Sequence, residues 1–343
     1  MKIVTFTPNP AIDLTIRLEK LTPGEVQRAE THFTRAGGKG VNVSTALAGY
    51  GMDNTASGFL GAGNAGIFER HFSDLSIDDA FVRVDGENRT NIKIVDAAGT
   101  TDVNLNGFSV AEQDGEKFLA RTDLLFSREN GIAVLSGSLP PGCPPDFHRT
   151  LVRRLKSRGH TVFLDADGAA LASALSGDAV LPDGIKPNLR ELSEWAGAPL
   201  ERDADILAAA QLLLARGLRL VAVSLGGEGA LFVDRQEALR VRGEPERIAS
   251  TVGAGDAMMA GIAAAWAAMY SLEHTARLAT AFALGWLKNS AAEKPFPWNG
   301  FRGKVGFREK VETALGKIRV EKVWAASETC HPDGHGACRP PGG

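Results

Sequence analysis

An aspartate directly behind two glycines, at the entrance to an apolar helix, can accept a proton beside a bound anion. The stretch Gly253-Ala254-Gly255-Asp256 is so placed: from Ala257 to Trp266 the chain is rich in alanine and methionine, helix-forming and apolar. Asp256 therefore falls in the first helical turn. A helix start leaves N–H groups without partners and carries partial positive charge, and glycines let the backbone close on a phosphoryl group. A carboxylate beside it can take the proton of a hydroxyl attacking that group. The alternative is a first-turn carboxylate that only answers the helix dipole. Taken alone, the stretch leaves both open.

A second entrance of the same design stands near the N-terminus. Ala36-Gly37-Gly38-Lys39-Gly40-Val41-Asn42 runs into Thr45-Ala46-Leu47-Ala48, and Lys39 adds a point charge suited to a phosphorylated substrate. It is not a Walker A loop, because Gly40 stands where Ser or Thr must follow the lysine. Asp13 follows the first strand and could either meet a ligand at the strand's carboxyl end or start a turn. Arg89, before a β run, could grip a phosphate dianion or be an exposed strand end. Asn188 with Glu191 three residues on reads as a capping box. Ser224-Leu225-Gly226-Gly227-Glu228-Gly229 lies between two β runs, where its glycines either admit a nucleotide or close a hairpin. Gly61-Ala62-Gly63-Asn64-Ala65-Gly66 matches a dinucleotide fingerprint, but not at the first strand where that fingerprint belongs. It is expected to be the loop of a βα unit.

These residues need a scaffold. Lys2 to Phe6 is a β-branched and aromatic run stopped by two prolines, and Thr55 to Leu60, Ile132 to Leu135, Thr161 to Asp165 and Leu218 to Val223 are further buried-type strands. From Ser109 onward strands alternate with helical segments, including 272–290 and 307–318, which predicts an α/β fold with a mainly parallel sheet. Leu14 to Leu18, Val26 to Phe33 and the hairpin Thr90–Val95 with Thr101–Leu105 alternate in a different way and predict a small separate sheet. Arg240 to Arg247 reads as a polar connection.

The 343 residues are 44% hydrophobic and 23% charged, with a net charge of −3. That composition suits a folded globular chain, and neither nucleic acid nor a membrane surface is an expected partner. The longest apolar run, Ala257 to Tyr270, falls short of the ~20 residues that cross a bilayer, and the N-terminus has no signal-peptide pattern, so a cytoplasmic location is expected. Three cysteines build no disulfide framework. Cys330, His331, His335 and Cys338 lie among prolines and glycines, and residues 325–343 are expected to be a disordered tail.

Thr251-Val252-Gly253-Ala254-Gly255-Asp256 resembles the C-terminal signature D-T-x-G-A-G-D of the ribokinase-like (PfkB) sugar kinases, with Ser250 in place of the first aspartate. Ala36-Gly37-Gly38-Lys39-Gly40-Val41-Asn42 resembles that family's A-G-G-x-G-x-N, in the lysine variant of the branch acting on ketohexose phosphates. Ser136-Gly137-Ser138, Lys186-Pro187-Asn188-x-x-Glu191 and the Ser224 to Gly229 turn resemble further family turns, whereas Asp165-Ala166-Asp167-Gly168 departs from the family's D-T-S-G. The resemblance implies a three-layer α/β/α kinase domain over about residues 1–320, with a β-sheet lid from about 13–35 and 87–108. It implies ATP and Mg2+, and phosphorylation of D-fructose 1-phosphate to D-fructose 1,6-bisphosphate. Tagatose 6-phosphate or fructose 6-phosphate as substrate, or a non-catalytic sugar-phosphate-binding regulator, are its alternatives.

The residue roles that follow are these. Asp256 is the base, and the amides of Gly253, Ala254 and Gly255 stabilise the transferring group. Asp13, Gly38, Lys39, Asn42, Arg89 and Ser138 meet the sugar phosphate. Lys186, Asn188, Glu191, Ser224, Gly226, Gly229, Gly253 and Gly255 meet the nucleotide, with Asn188 and Glu191 supporting Mg2+ through water. A homodimer formed through the lid is the expected protein partner.

Overall fold

In the computed structural model, which describes residues 1–177, 180–243, 252–290 and 305–326, β1 (Lys2–Thr7) is the strand around which the main sheet is laid. Its Ile3, Val4 and Phe6 are buried, as a continuous apolar run must be when both sheet faces are covered. It pairs in parallel with β4 (Thr55–Gly61) on one side and β9 (Gly131–Ser136) on the other. Beyond β9 the parallel order continues through β10 (Thr161–Asp165), β11 (Gly184–Ile185) and β12 (Leu220–Ser224). The short strands β5 (Asp78–Asp79) and β6 (Val82–Val84) pair with β4. At the far edge the sheet turns antiparallel through β13 (Ala230–Val233), β14 (Glu237–Arg242) and β15 (Arg319–Ala325).

Helices cover both faces. Val4 and Phe6 join the core beneath α3 (Glu112–Leu125), α4 (Phe147–Lys156), α5 (Gly168–Ala174), α6 (Leu189–Ala196) and α7 (Asp203–Ala215). Ile3 points the other way, into the core built with α1 (Lys39–Tyr50), α8 (Ala254–Ala267), α9 (Leu272–Ser290) and α10 (Val305–Leu315). A third cluster under α2 (Gly66–Leu75) closes the β4 end. The α/β/α layering read from the sequence is present. So is the separate small sheet, ordered β3 (Thr31–Gly37), β2 (Ala11–Arg17), β7 (Arg89–Asp96), β8 (Gly99–Asn104), with β2 and β7 parallel.

Three expectations need correction. The strand expected at Val26 to Phe33 begins only at Thr31 and runs on to Gly37, because β3 follows β2 residue for residue from Arg17↔Thr31 to Ala11↔Gly37. Val26 stands almost wholly exposed. Arg240 is no connection: it lies buried in β14, ion-paired to Asp203 at the start of α7. Finally, β15 was not foreseen, since its largely exposed edge pattern lacks the apolar run of a central strand. The expected Cys/His tail, and Ser250 and Thr251 of the second signature, lie outside the described residues.

Candidate active site

The first glycine entrance brings Lys39 to the carboxyl ends of β9 and β10. Gly38, the residue before α1, has φ +106°, and a side chain there would crowd Pro10 Cα at 3.0 Å and Thr7 Cγ2 at 3.1 Å, so the approach needs glycine. The Lys39 ammonium donates to Asp165 Oδ1 at 3.2 Å and to Asp167 in a short contact. Asp165 ends β10 and also pairs with Lys186, Nζ to Oδ2 3.2 Å. Burial alone would lower the Lys39 pKa, but Asp165 and Asp167 outweigh it and hold the lysine firmly charged. Burial alone would raise Asp165, yet Lys186 and Lys39 prevail and keep it below the usual carboxylate range. The result is a cluster of alternating charges, buried at Asp165 and Lys186 and open to water at Asp167.

The second entrance meets this cluster from the other side. Gly253 has φ +83°, and a side chain on it would lie 2.5 Å from Trp286 Nε1, which donates to the Val252 carbonyl at 3.1 Å. Trp286 thus pins the turn that opens α8. Asp256 follows in the first turn, buried, and its Oδ2 accepts from Asn42 Nδ2 of α1 at 2.7 Å. Burial, and then the charge of Asp165, push Asp256 up to about 6; the Asn42 bond, Lys39 and Lys186 restrain the rise. Lys186 Nζ stands 3.1 Å from where a side chain on Gly255 would begin, so the α8 amides and a second ammonium border the same space. A carboxylate with a pKa near 6 is ionised at neutral pH and a better base than an ordinary aspartate.

The small sheet contributes a row of polar side chains. Asp13 of β2 sits between Arg35 of β3 and Asn91 of β7 in register, accepting from Arg35 Nη2 at 3.1 Å and from Asn91 Nδ2 at 3.0 Å. Arg89 opens β7 and donates from Nε to the Asn9 carbonyl at 3.4 Å; burial lowers its pKa, against the charges of Asp13 and Asp167. Asn9 Nδ2 in turn donates to Ser138 Oγ at 3.3 Å, in the turn after β9.

On the nucleotide side of the expected site, Asn188 caps α6. Its Oδ1 accepts from Glu191 N at 2.8 Å, while its own N–H donates to Glu191 Oε2 at 2.8 Å. The capping box expected from the spacing is formed. Ser224, at the end of β12, bridges to Asn188, and its N–H donates to the Pro187 carbonyl at 3.0 Å. Gly226 and Gly229 flank one helical turn leading into β13. No hydrogen bond or ion pair among the described residues joins that turn to the Lys39–Asp256 cluster. No group of three or more His, Cys, Asp or Glu that could cage a metal ion exists among the described residues. Glu191, its pKa raised by burial, keeps one oxygen outside the box. That donor set fits a water-mediated Mg2+ contact and not a direct cage.

Asp165, Asp167, Arg35, Asn91 and Asn9 were given no role from the sequence. Asp165 had a signal: it closes a central parallel strand, where ligands of open α/β sheets collect. The Gly61 to Gly66 loop closes on the chain itself. Gly61 N donates to Asn88 Oδ1 at 3.0 Å and Asn88 Nδ2 donates to the Gly61 carbonyl at 3.0 Å, so its glycines serve a backbone crossing and not a dinucleotide.

A family model described as pfkB family carbohydrate kinase matches residues 7–298. The chain is similar to the 1-phosphofructokinase of Xanthomonas campestris pv. campestris, 45% identical over 303 residues, covering 87% of this chain and 94% of that relative. It is similar also to the 1-phosphofructokinase of Escherichia coli K12, 38% identical over 283 residues, covering 82% and 89%. Among solved structures, phosphofructokinase-2 from Escherichia coli in complex with substrates and products superposes with a TM-score of 0.82 at 26% identity, covering 92% of this chain and 99% of that one. The tetrameric inhibited form of the same enzyme superposes with a TM-score of 0.79 at 26% identity, covering 92% and 98%.

Proposed function

The chain belongs to the pfkB family of carbohydrate kinases, and on that premise we propose that it phosphorylates D-fructose 1-phosphate with ATP, giving D-fructose 1,6-bisphosphate and ADP. The observation that carries this reading is the 2.7 Å bond between Asn42 and Asp256. It joins the two helix entrances, so the lysine suited to an anionic sugar and the carboxylate suited to its hydroxyl stand within electrostatic reach of each other.

In this reading Lys39 and Arg89 hold the phosphate already on the sugar, and Gly38 lets it approach the start of α1. Asp13, oriented by Arg35 and Asn91, accepts from sugar hydroxyls, and Ser138 meets the same ligand. Asp256 takes the proton of the attacking primary hydroxyl. The amides of Gly253, Ala254 and Gly255, with Lys186 beside them, stabilise charge on the transferring phosphoryl group. Ser224, Gly226 and Gly229 border the nucleotide, and Asn188 and Glu191 support Mg2+ through water. When bound, Mg2+ neutralises charge on the nucleotide's phosphoryl oxygens.

The small sheet acts as a lid in this proposal, and a homodimer forms through it. The exposure of Val103 and Leu105 at its β8 edge supports such a contact, and sedimentation at several protein concentrations tests it. A cytoplasmic location belongs to the same reading. The substrate assignment is tested by ADP release with fructose 1-phosphate, fructose 6-phosphate and tagatose 6-phosphate in parallel. Faster turnover per KM with either of the latter two would replace it, and no turnover with any would favour a sugar-phosphate-binding regulator.

A further inference from the structure

Resting on that reading of the sugar site, one residue outside the expected set acquires a role. Asp167 precedes α5 in the extended conformation of a helix cap, φ −97° and ψ 153°, yet its side chain makes no cap bond. An aspartate so placed ordinarily turns back to accept from first-turn amides. Here it reaches out to Lys39 instead, and it lies near enough to Arg89 to favour that residue's charged form. The two acids on Lys39 differ in one decisive respect. The Asp165 side chain is 2% exposed and shared with Lys186, so releasing it would strand a buried charge. The Asp167 side chain is 49% exposed, and water can receive it.

We propose that Asp167 is an internal competitor for the sugar's phosphoryl end: its carboxylate stands on Lys39 where the substrate's phosphoryl oxygens must stand, and it yields when a dianion arrives. A dianion offers Lys39 more than the monoanion it displaces, whereas a neutral sugar displaces nothing. Asp167 is therefore a specificity-determining residue, weakening every anionic ligand by the same ion pair and leaving neutral sugars untouched.

Titration calorimetry on the full chain tests this, with fructose 1-phosphate, inorganic phosphate and unphosphorylated fructose as probes, comparing wild type with Asp167→Ser and Asp167→Asn. Both variants keep a side chain that can cap α5. The expected result is binding of fructose 1-phosphate and of phosphate about two- to fivefold tighter in each variant, the range of a partly exposed ion pair, with fructose unchanged. The gain should vanish when Asp167→Ser is combined with Lys39→Met. Equal or weaker phosphosugar binding in the variants, with wild-type binding intact, overturns the proposal alone, as does a gain that survives Lys39→Met. Weakening of fructose and fructose 1-phosphate together would instead make Asp167 a hydroxyl ligand, again overturning it. Failure of wild type and variants alike to bind fructose 1-phosphate overturns the substrate reading beneath it.

Discussion

Asp256 is where residue chemistry is most exposed to test. Asp256→Asn should lower kcat about 10²- to 10⁴-fold, the range of a positioned base, with little change in ATP binding measured by calorimetry. In the wild type, kcat/KM should rise with pH through a midpoint near 6, where burial and Asp165 have moved the carboxyl, and level off about one unit above it. Asn42→Ala removes a donor that stabilises the ionised form, so the same limb should move to higher pH. The stability consequence has a definite sign. A folded-state value near 6 against the ordinary 3.8 means that the native chain holds a proton the unfolded chain gives up. The resulting penalty is absent below about pH 4, grows up to about 6 and is complete above it. Asp256→Asn should therefore stabilise the protein at pH 8, by something on the order of 2 kcal/mol, and not at pH 3.5, as urea denaturation at the two pH values would show. Glycines and an acid in fixed spacing made the position of this residue legible, in the first turn of a helix, while its use as a base was implied only by the family resemblance. Asp165 and Asp167 were not, because an acid at a strand end or a helix cap has an ordinary structural use and only the folded chain reveals that both meet Lys39.

Elements behave as their local patterns predict where one force dominates. The strand that opens the chain, the capping box of α6 and the apolar helix behind Gly255 were all readable, since burial on both faces, a three-residue spacing and a run of alanines each leave one solution. The segment near Val26 was misread because β propensity is weak beside pairing. β3 is set by its register with β2, and that partner chose residues 31 to 37. Arg240 was misread for a related reason: a charged residue buried in a strand is counted as a loop until its partner, Asp203, is known. The tightest constraint at this scale is the turn before α8. Gly253→Ala must strain a left-handed backbone and displace Trp286, and should lower the unfolding free energy by about 1–3 kcal/mol. The loss of kcat should exceed the loss of stability, since the amides that follow would be re-aimed. Glu191→Ala, which removes half of a cap, should cost about 1 kcal/mol by urea denaturation.

The molecule as a whole is a sheet whose parallel centre is sheltered and whose antiparallel edge is finished by β15. A chain ended before Arg319 would strip β14 of its neighbour and uncover Leu239 and Val241 in their core, and its urea midpoint should fall measurably below that of the full chain. The arrangement has a further meaning for how the protein comes into being. Asn42 and Asp256 lie 214 positions apart along the chain, with most of the strands between them. Bringing them together closes a long loop, which slows folding, and a nascent polypeptide carries Lys39 and Asn42 long before Asp256 is synthesised. If the proposed reaction needs this long-range contact, then in refolding from denaturant the recovery of turnover should lag the recovery of helical circular dichroism.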